Sequence, residues 1–503
     1  MRCSHLNRAF AAGQTRQKYK NRVNMAKRNN YRQHQIIGGW KLDARLGKGG
    51  NGEVWRVYKN EESGAIKLLK NIRENIYKRF KAEIHAITTN SDIEGVVQIK
   101  EYDLPDDTTK TVPWFVMPIG EKFSDWRKGK ETLAIVKEML LLAKTLEQLH
   151  QREFYHRDIK PANILYLNDR LCLADFGLVK YPYRDDVTEQ GKDVGPKFTM
   201  APEMRRYASE ANGEYADVYS FAKTLWISVT NEMKCFDGQY NVFSTVSLNN
   251  YCQGLYTKSL NDLLTDCTEH TPDKRPKMTE VVRRLEKWIK INEDFHEQNL
   301  TEWFDLQNRI FPAGSPESVT WTNPADIITI FNEIAKVRSL NHMFLPGGGG
   351  NTFIGADYAH EEGLISLKIA DQMYDILKPR KLTYESFGVD PQWNYFRLEA
   401  EPIEKTGVYD ERNYVCPYEE LVEMEPATYI ERHHWDENEY NGEDLPEGSR
   451  LVCRYFEGAF VVFSTRSVYN RVSATYDGRH NKMSEQKFRE YIERSAMHHK
   501  TAA

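Results

Sequence analysis

The sequence predicts an α+β protein. A two-lobed unit, β-rich first and helical after, is followed by a second α+β domain. Three observations carry this. Strand-like runs flank a glycine-rich turn before residue 70, helical spacing dominates from Pro202 to about Gln298, and the pattern changes character again beyond about residue 320. At about 100–200 residues per domain, 503 residues allow two to four domains.

From Met1 to Lys41 the chain carries many Lys and Arg and no Asp or Glu. Residues 1–35 are expected to be a basic, disordered tail. Binding to RNA or acidic lipid, a transit peptide, or a true start at Met25 remain open. The run has no apolar core of the kind a secretory signal needs.

Trp40–Leu46 and Glu53–Tyr58 read as strands around the turn Gly47-Lys48-Gly49-Gly50-Asn51-Gly52, and Gly64–Leu69 as a third strand. Tyr77–Thr88 places Phe80, Ile84 and Ile87 on one helical face, and Leu133–His150 is a long amphipathic helix. The unit is expected to span residues 36–295, with a polar linker over 296–320 around Pro312 and Pro316 and a further domain over 321–503. In that domain Ala325–Leu340 and Gly363–Leu377 have helical spacing, and Arg450–Phe456 with Ala459–Ser464 reads as a hairpin about Glu457-Gly458. The run Gly347–Gly350 lacks a following Lys-Ser/Thr and reads as a turn, not a phosphate loop.

Composition sets limits. Hydrophobic residues are 40% and charged residues 28%, as in ordinary globular proteins. The net charge of −4, from 69 basic against 73 acidic residues, argues against a polyanion binder overall. No apolar run approaches the roughly 18–20 residues of a membrane span. Seven scattered cysteines without a C-x-x-C pair argue against a disulfide framework or a Cys-based zinc site and favour a reduced, cytoplasmic setting.

The glycine turn lets backbone approach phosphate oxygens without a Cβ clash. Its flanks, Leu46 before and Val54-Trp55-Arg56-Val57 after, are strand-like, so it tops a hairpin and does not open a dinucleotide-binding helix. Ala65-Ile66-Lys67 puts a lysine between apolar neighbours, which is costly unless it is paired; Glu83 is the candidate carboxylate. In His156-Arg157-Asp158-Ile159-Lys160-Pro161-Ala162-Asn163, Asp158 can accept a hydroxyl proton, Lys160 can neutralise a transferring phosphoryl group, and Asn163 can ligate a metal. Asp175-Phe176-Gly177 and Ala201-Pro202-Glu203 follow in order.

With these motifs, residues 36–295 resemble the eukaryotic-like serine/threonine protein kinase family, with its β-rich N-lobe and helical C-lobe. The resemblance implies that Gly47, Gly49 and Gly52 cover the phosphates of ATP and that Lys67 pairs the α- and β-phosphates and Glu83. It makes Asp158 the catalytic base and has Asn163 and Asp175 hold Mg²⁺. Leu46 would border the nucleotide. Val54, Ala65 and Leu165 would sandwich the adenine. Met117 would be the gatekeeper, Pro118 would supply a carbonyl and Gly120 an N–H to the base. Asp217 would brace the catalytic loop and Arg275 would pair with Glu203. Lys160, two residues after Asp158, is the serine/threonine form of the loop, so protein Ser and Thr hydroxyls are the implied acceptors.

The chain departs from the family at Gly195-Pro196, where Gly-Thr is usual, which puts substrate docking in question. Thr188 and Thr199 are the only Ser/Thr self-phosphorylation candidates in the loop between Asp175 and Glu203, and Asp193 is a candidate stand-in for a phosphate opposite Arg157. Beyond residue 300 no family is recognised. The acidic stretch 401–447 reads as a solvated surface that could dock a basic partner, and His433-His434-Trp435-Asp436 lacks a second cluster with ligand spacing. Two rival functions remain. One is a catalytically idle kinase fold, against which Lys67, Asp158 and Asp175 all speak. The other is a C-terminal effector, such as a nucleic-acid binder, under kinase control. Substrate, activating signal and oligomeric state are not legible.

Overall fold

The computed structural model describes residues 30–502 except 50–51, 71–72, 109–110, 183–197, 207, 209, 338–341, 345–349, 360–361, 370–372, 387–390, 402–420, 426–427, 432–449, 453–454, 457 and 466–482. The chain divides into two compact units, one ending at Ile289 and the other beginning at Lys290.

The first unit opens with a six-stranded sheet. Its strands are β1 (Ile36–Ile37), β2 (Trp40–Lys48), β3 (Gly52–Lys59), β4 (Glu62–Leu69), β5 (Glu101–Asp103) and β6 (Trp114–Met117), in the order β1-β2-β3-β4-β6-β5. Alternation explains the sheet. Glu53, Trp55 and Val57 are buried while Val54 and Arg56 between them are only partly so. Trp40, Trp55, Ile66, Leu68 and Trp114 share one core. Tyr31 belongs to that core as well, and its hydroxyl donates to the Leu69 carbonyl at 2.6 Å. The ordered fold therefore starts earlier than the expected boundary at residue 36. A single aromatic anchor inside a basic run leaves little trace in composition.

Helix α1 (Glu74–Thr89) buries Phe80, Glu83, Ile84 and Ile87. After β7 (Glu121–Lys122) and the short α2 (Phe123–Trp126) comes α3 (Thr132–Gln151), whose buried stripe of Ile135, Met139, Leu142, Leu146 and Leu149 follows the expected helical period. Strand β8 (Ile164–Leu167) pairs antiparallel with both β7 and β9 (Arg170–Leu173) in a small sheet. Helices α4 (Glu203–Arg206), α5 (Gly213–Thr230), α6 (Lys258–Cys267) and α7 (Met278–Glu293) complete the helical part. Helix α5 is apolar nearly all round and correspondingly buried almost throughout; Asn212 caps its start by accepting from the Glu214 N–H.

The second unit begins ahead of the stretch expected to be a linker and takes that stretch in. Residues 295–310 instead form α8 (Phe295–Ile310), capped by Asp294, and Ser318–Trp321 forms β10. Trp303 and Leu306 of α8 are fully buried in the second unit's core. Two apolar anchors in a polar helix are enough to dock it and too few to mark it in the sequence. Helix α9 (Pro324–Ala335) overlaps the helix predicted from Ala325 and packs Ile327, Phe331 and Ile334 into the same core.

The sheet of this unit closes on itself. Its strands are β11 (His342–Phe344), β12 (Gly350–Tyr358), β13 (Ile365–Ile369), β14 (Met373–Glu385), β15 (Tyr395–Glu401), β16 (Leu421–Glu425), β17 (Thr428–Glu431), β18 (Arg450–Val452), β19 (Tyr455–Phe456) and β20 (Gly458–Phe463). Antiparallel pairings run β14-β13-β12-β11-β20-β15 and return from β15 to β14, giving a six-stranded barrel. Strand β10 lies along β14, and β16, β17 and β18 form a separate sheet. Two expectations fail here. Gly363–Leu377 is not a helix but holds all of β13 and the start of β14. Leu364 and Leu367 have helical spacing, yet Ile365, Leu367 and Ile369 also alternate, and the strand period wins by pairing with neighbours. Arg450–Phe456 and Ala459–Ser464 do not form a hairpin, because β18 pairs β16, β19 pairs β14, and β20 pairs β11 and β15. On the other face of β15 and β20, Tyr395, Val461 and Phe463 pack with Phe488 and Ile492 of α10 (Glu485–Ala502).

Four cysteines, Cys172, Cys235, Cys252 and Cys267, are buried and free. Among the described residues no helix is long and apolar enough to cross a membrane. The calls on Thr188, Asp193, Gly195-Pro196, His433-His434-Trp435-Asp436, residues 347–349 and most of the acidic stretch lie outside the described residues.

Candidate active site

The glycine turn joins β2 and β3 as a hairpin, closed by the Gly49 N–H donating to the Gly52 carbonyl at 2.9 Å. A Cβ on Gly52 would lie 2.9 Å from the backbone oxygen of Leu68, so only glycine lets β3 approach β4 there. Leu46 falls where the β2–β3 register shifts, between Arg45 and Gly47. Val54 faces Lys67 across β3 and β4, and Ala65 pairs with Met117 across β4 and β6. Met117, Leu165 and Leu167 pack against Val97, Cys172 and Ala174. Pro118 follows β6, and Gly120 lies so close to Leu165 and Leu167, 2.9 Å for an added Cβ, that a side chain would displace both.

Lys67 projects from β4 to two carboxylates. Its Nζ lies 2.5 Å from Glu83 Oε1 on α1 and 3.0 Å from Asp175 Oδ1. Burial works to lower the pKa of Lys67, but Asp175 and Glu83 together outweigh it and hold it above the ordinary lysine value. Lys67 in turn holds Asp175 down, to about 2. Burial pushes Glu83 up, against the pull of Lys67.

Asp158 is the hub of a second cluster. Lys160 Nζ reaches its carboxylate oxygens at 3.0 and 2.8 Å, and the Asn163 amide donates to its carboxylate at 2.8 Å and to its carbonyl at 2.9 Å. Burial raises the pKa of Asp158 while Lys160 opposes the rise. The Asn163 amide nitrogen is spent on Asp158, which leaves the Asn163 oxygen as the group free to meet a cation.

The loop that carries these groups is held from behind. Arg157 and Asp175 have φ of 64° and 61°, left-handed values that cost energy for residues with side chains and persist where surroundings impose them. Asp217 of α5, fully buried, accepts from the backbone N–H of His156 at 2.7 Å and of Arg157 at 2.6 Å. His150, in the last turn of α3, meets the same carboxylate at 3.1 Å, a partner sequence reading missed because nothing marks that histidine apart from its neighbours. His156 contacts the Ala174 carbonyl through Nε2 at 3.1 Å and packs edge-on against Phe176. Arg275 clasps Glu203 through both guanidinium nitrogens at 2.6 and 3.0 Å, as expected, and also donates to carbonyls of Tyr215 and Glu269. Arg157 donates to the Ala208 carbonyl.

A glycine-rich turn between paired strands, a lysine shared between two carboxylates and an Asp-Lys-Asn cluster thus occur together in one chain. The model of the protein kinase domain matches residues 40–289. Residues 40–289 are a protein kinase domain. Beyond the domain model, three proteins illustrate the likeness. The dual specificity protein kinase shkB of Dictyostelium discoideum is 26% identical over 264 residues, 49% of this chain and 39% of that protein. The probable serine/threonine-protein kinase drkB of the same organism is 32% identical over 267 residues, 49% of this chain and 36% of that protein. The serine/threonine-protein kinase STY17 of Arabidopsis thaliana is 27% identical over 263 residues, 50% of this chain and 45% of that protein. The chain spans less than half the length of these relatives, and in each the alignment covers about half of this chain. The kinase domain lies within the first compact unit and ends with it at Ile289.

Proposed function

We propose that this protein is an active serine/threonine protein kinase that transfers the γ-phosphoryl group of ATP, with Mg²⁺, to hydroxyls of protein substrates. The observation that carries the reading is the lysine–glutamate pair: Lys67 and the buried Glu83 lie 2.5 Å apart in the same domain in which Lys160 and Asn163 both bond Asp158.

The donor set fits a magnesium ion that also binds phosphate. Asn163 and Asp175 offer two hard oxygen groups, and among the described residues no cluster of three or more His, Cys, Asp or Glu could hold a metal by itself. That is the pattern of a cation completed by phosphates and water. When bound, the ion neutralises negative charge on the phosphates. The protein's own residues do the rest. Gly47, Gly49 and Gly52 bring backbone over the phosphates, while the Pro118 carbonyl and the Gly120 N–H meet the adenine edge. Lys67 binds the α- and β-phosphates. Asp158 orients the acceptor hydroxyl and takes its proton as that oxygen bonds the γ-phosphorus and the bond from the γ-phosphorus to the β–γ bridging oxygen breaks to release ADP, and Lys160 offsets charge on the phosphoryl group in transit.

The serine/threonine assignment rests on Lys160 and on the names of drkB and STY17; shkB is named a dual specificity kinase. Incubation with γ-labelled ATP, Mg²⁺ and a peptide library containing Ser, Thr or Tyr acceptors tests the reading. Label on Ser and Thr peptides that is lost on chelation supports it. Label confined to Tyr peptides, or no label at all, overturns it.

A further inference from the structure

Tyr181 lies just beyond the Asp175-Phe176-Gly177 turn. A two-way backbone bridge between Tyr155 and Lys180, both hydrogen bonds 2.9 Å, pins the chain immediately before it. From that anchor its ring stacks on Phe154, with centroids 5.2 Å apart and planes 24° apart, and meets the ring of His85 at 5.1 Å and 48°. Phe154 is part of the helical lobe's core. His85 sits on the exposed face of α1, two residues after Glu83.

Helix α1 is thus gripped at two places. Glu83 reaches Lys67 and accepts from the Phe176 backbone, and His85 meets Tyr181. The grip matters because Lys67 is divided between Glu83 and Asp175. If α1 turns, Lys67 keeps a partner in Asp175 while the buried Glu83 is drawn away. The ion pair alone therefore does not decide where the helix stands. Successive helical residues are about 100° apart, so a restraint at His85 fixes the rotation that Glu83 needs.

We propose that Tyr181 is a positioning residue for phosphoryl transfer: wedged between Phe154 and His85, its ring holds α1 at the rotation that aims Glu83 at Lys67. The proposal rests on the kinase reading above. Steady-state kinetics of the full chain carrying Tyr181→Ala, Tyr181→Phe, His85→Ala and the Tyr181→Ala/His85→Ala pair test it. Tyr181→Ala and His85→Ala are each expected to lower kcat about three- to tenfold, the worth of one aromatic contact. Tyr181→Phe keeps wild-type turnover, the double variant is no slower than Tyr181→Ala, and KM for the protein substrate does not move. Wild-type turnover in both single alanine variants, or losses that multiply in the double variant, overturns the proposal. His85 is exposed, so His85→Ala carries the test even if Tyr181→Ala fails to fold. A wild-type protein that transfers no phosphoryl group refutes the kinase reading itself, a different outcome from active variants.

Discussion

At the scale of single residues, the site is a set of charges whose values depend on one another. Asp158 is buried, which raises its pKa, and Lys160 is the group that opposes the rise. On the proposed reading Asp158 is the catalytic base and must be ionised, so activity is expected to fall as pH drops through this raised pKa. Removing the positive charge with Lys160→Met removes the opposing effect. The acidic limb of the kcat/KM–pH profile should then move to higher pH, alongside a lower maximum; a limb that stays or moves down contradicts the assignment. Asp175 is held down to about 2 mainly by Lys67 and is ionised at any working pH. Asp175→Asn keeps the shape and removes the charge, and should raise the Mg²⁺ concentration needed for half-maximal activity by about tenfold or more; an unchanged Mg²⁺ dependence would remove Asp175 from the metal site. That Lys67 meets Glu83 was legible in the sequence, because a lysine between apolar strand neighbours needs a carboxylate partner. His150, Tyr181 and Ala208 were not. Each acts through a contact with a residue distant in the chain, and none carries a local pattern.

At the scale of elements, legibility followed how much of an element's reason lies within it. Strands β2, β3 and β4 and helices α1 and α3 were read within a few residues of their ends, since turn chemistry, alternation and a helical stripe are all local. Helix α8 was missed because its anchors Trp303 and Leu306 matter only against a core built later in the chain. Strands β18, β19 and β20 were misread as a hairpin because each pairs with a different, distant strand. The start of the first unit was placed too late for the same reason: Tyr31, ahead of β1, bonds the Leu69 carbonyl and shares a core with Trp55 and Trp114, far along the chain. Tyr31→Ala should therefore destabilise the kinase domain by about 3 kcal/mol, the usual loss for a buried aromatic truncated to alanine, whereas Tyr31→Phe, which loses only the hydrogen bond, should cost about 1 kcal/mol. Chemical denaturation checks both. Equal and negligible effects would mean that the segment before β1 contributes nothing to the fold.

At the scale of the whole molecule, the kinase domain accounts for one unit, and the barrel with α8, α9 and α10 forms the other around its own core. A core of that kind should fold by itself. A fragment from Asp294, the cap of α8, to the end of the chain is expected to show one cooperative thermal transition and the circular dichroism of a β-rich protein; a broad, non-cooperative melt would show that the second unit depends on the first. The first unit carries the central claim, that its geometry performs phosphoryl transfer and is not an idle nucleotide-binding fold. Rapid-quench measurement of γ-phosphoryl transfer to a protein acceptor, with ATP affinity measured in parallel by calorimetry, for the wild type and Asp158→Ala tests it most directly. The account predicts transfer by the wild type and a loss of about 10²–10⁴-fold in Asp158→Ala, with ATP affinity nearly unchanged. A wild type that binds ATP but transfers nothing, or an Asp158→Ala variant as fast as the wild type, would contradict it.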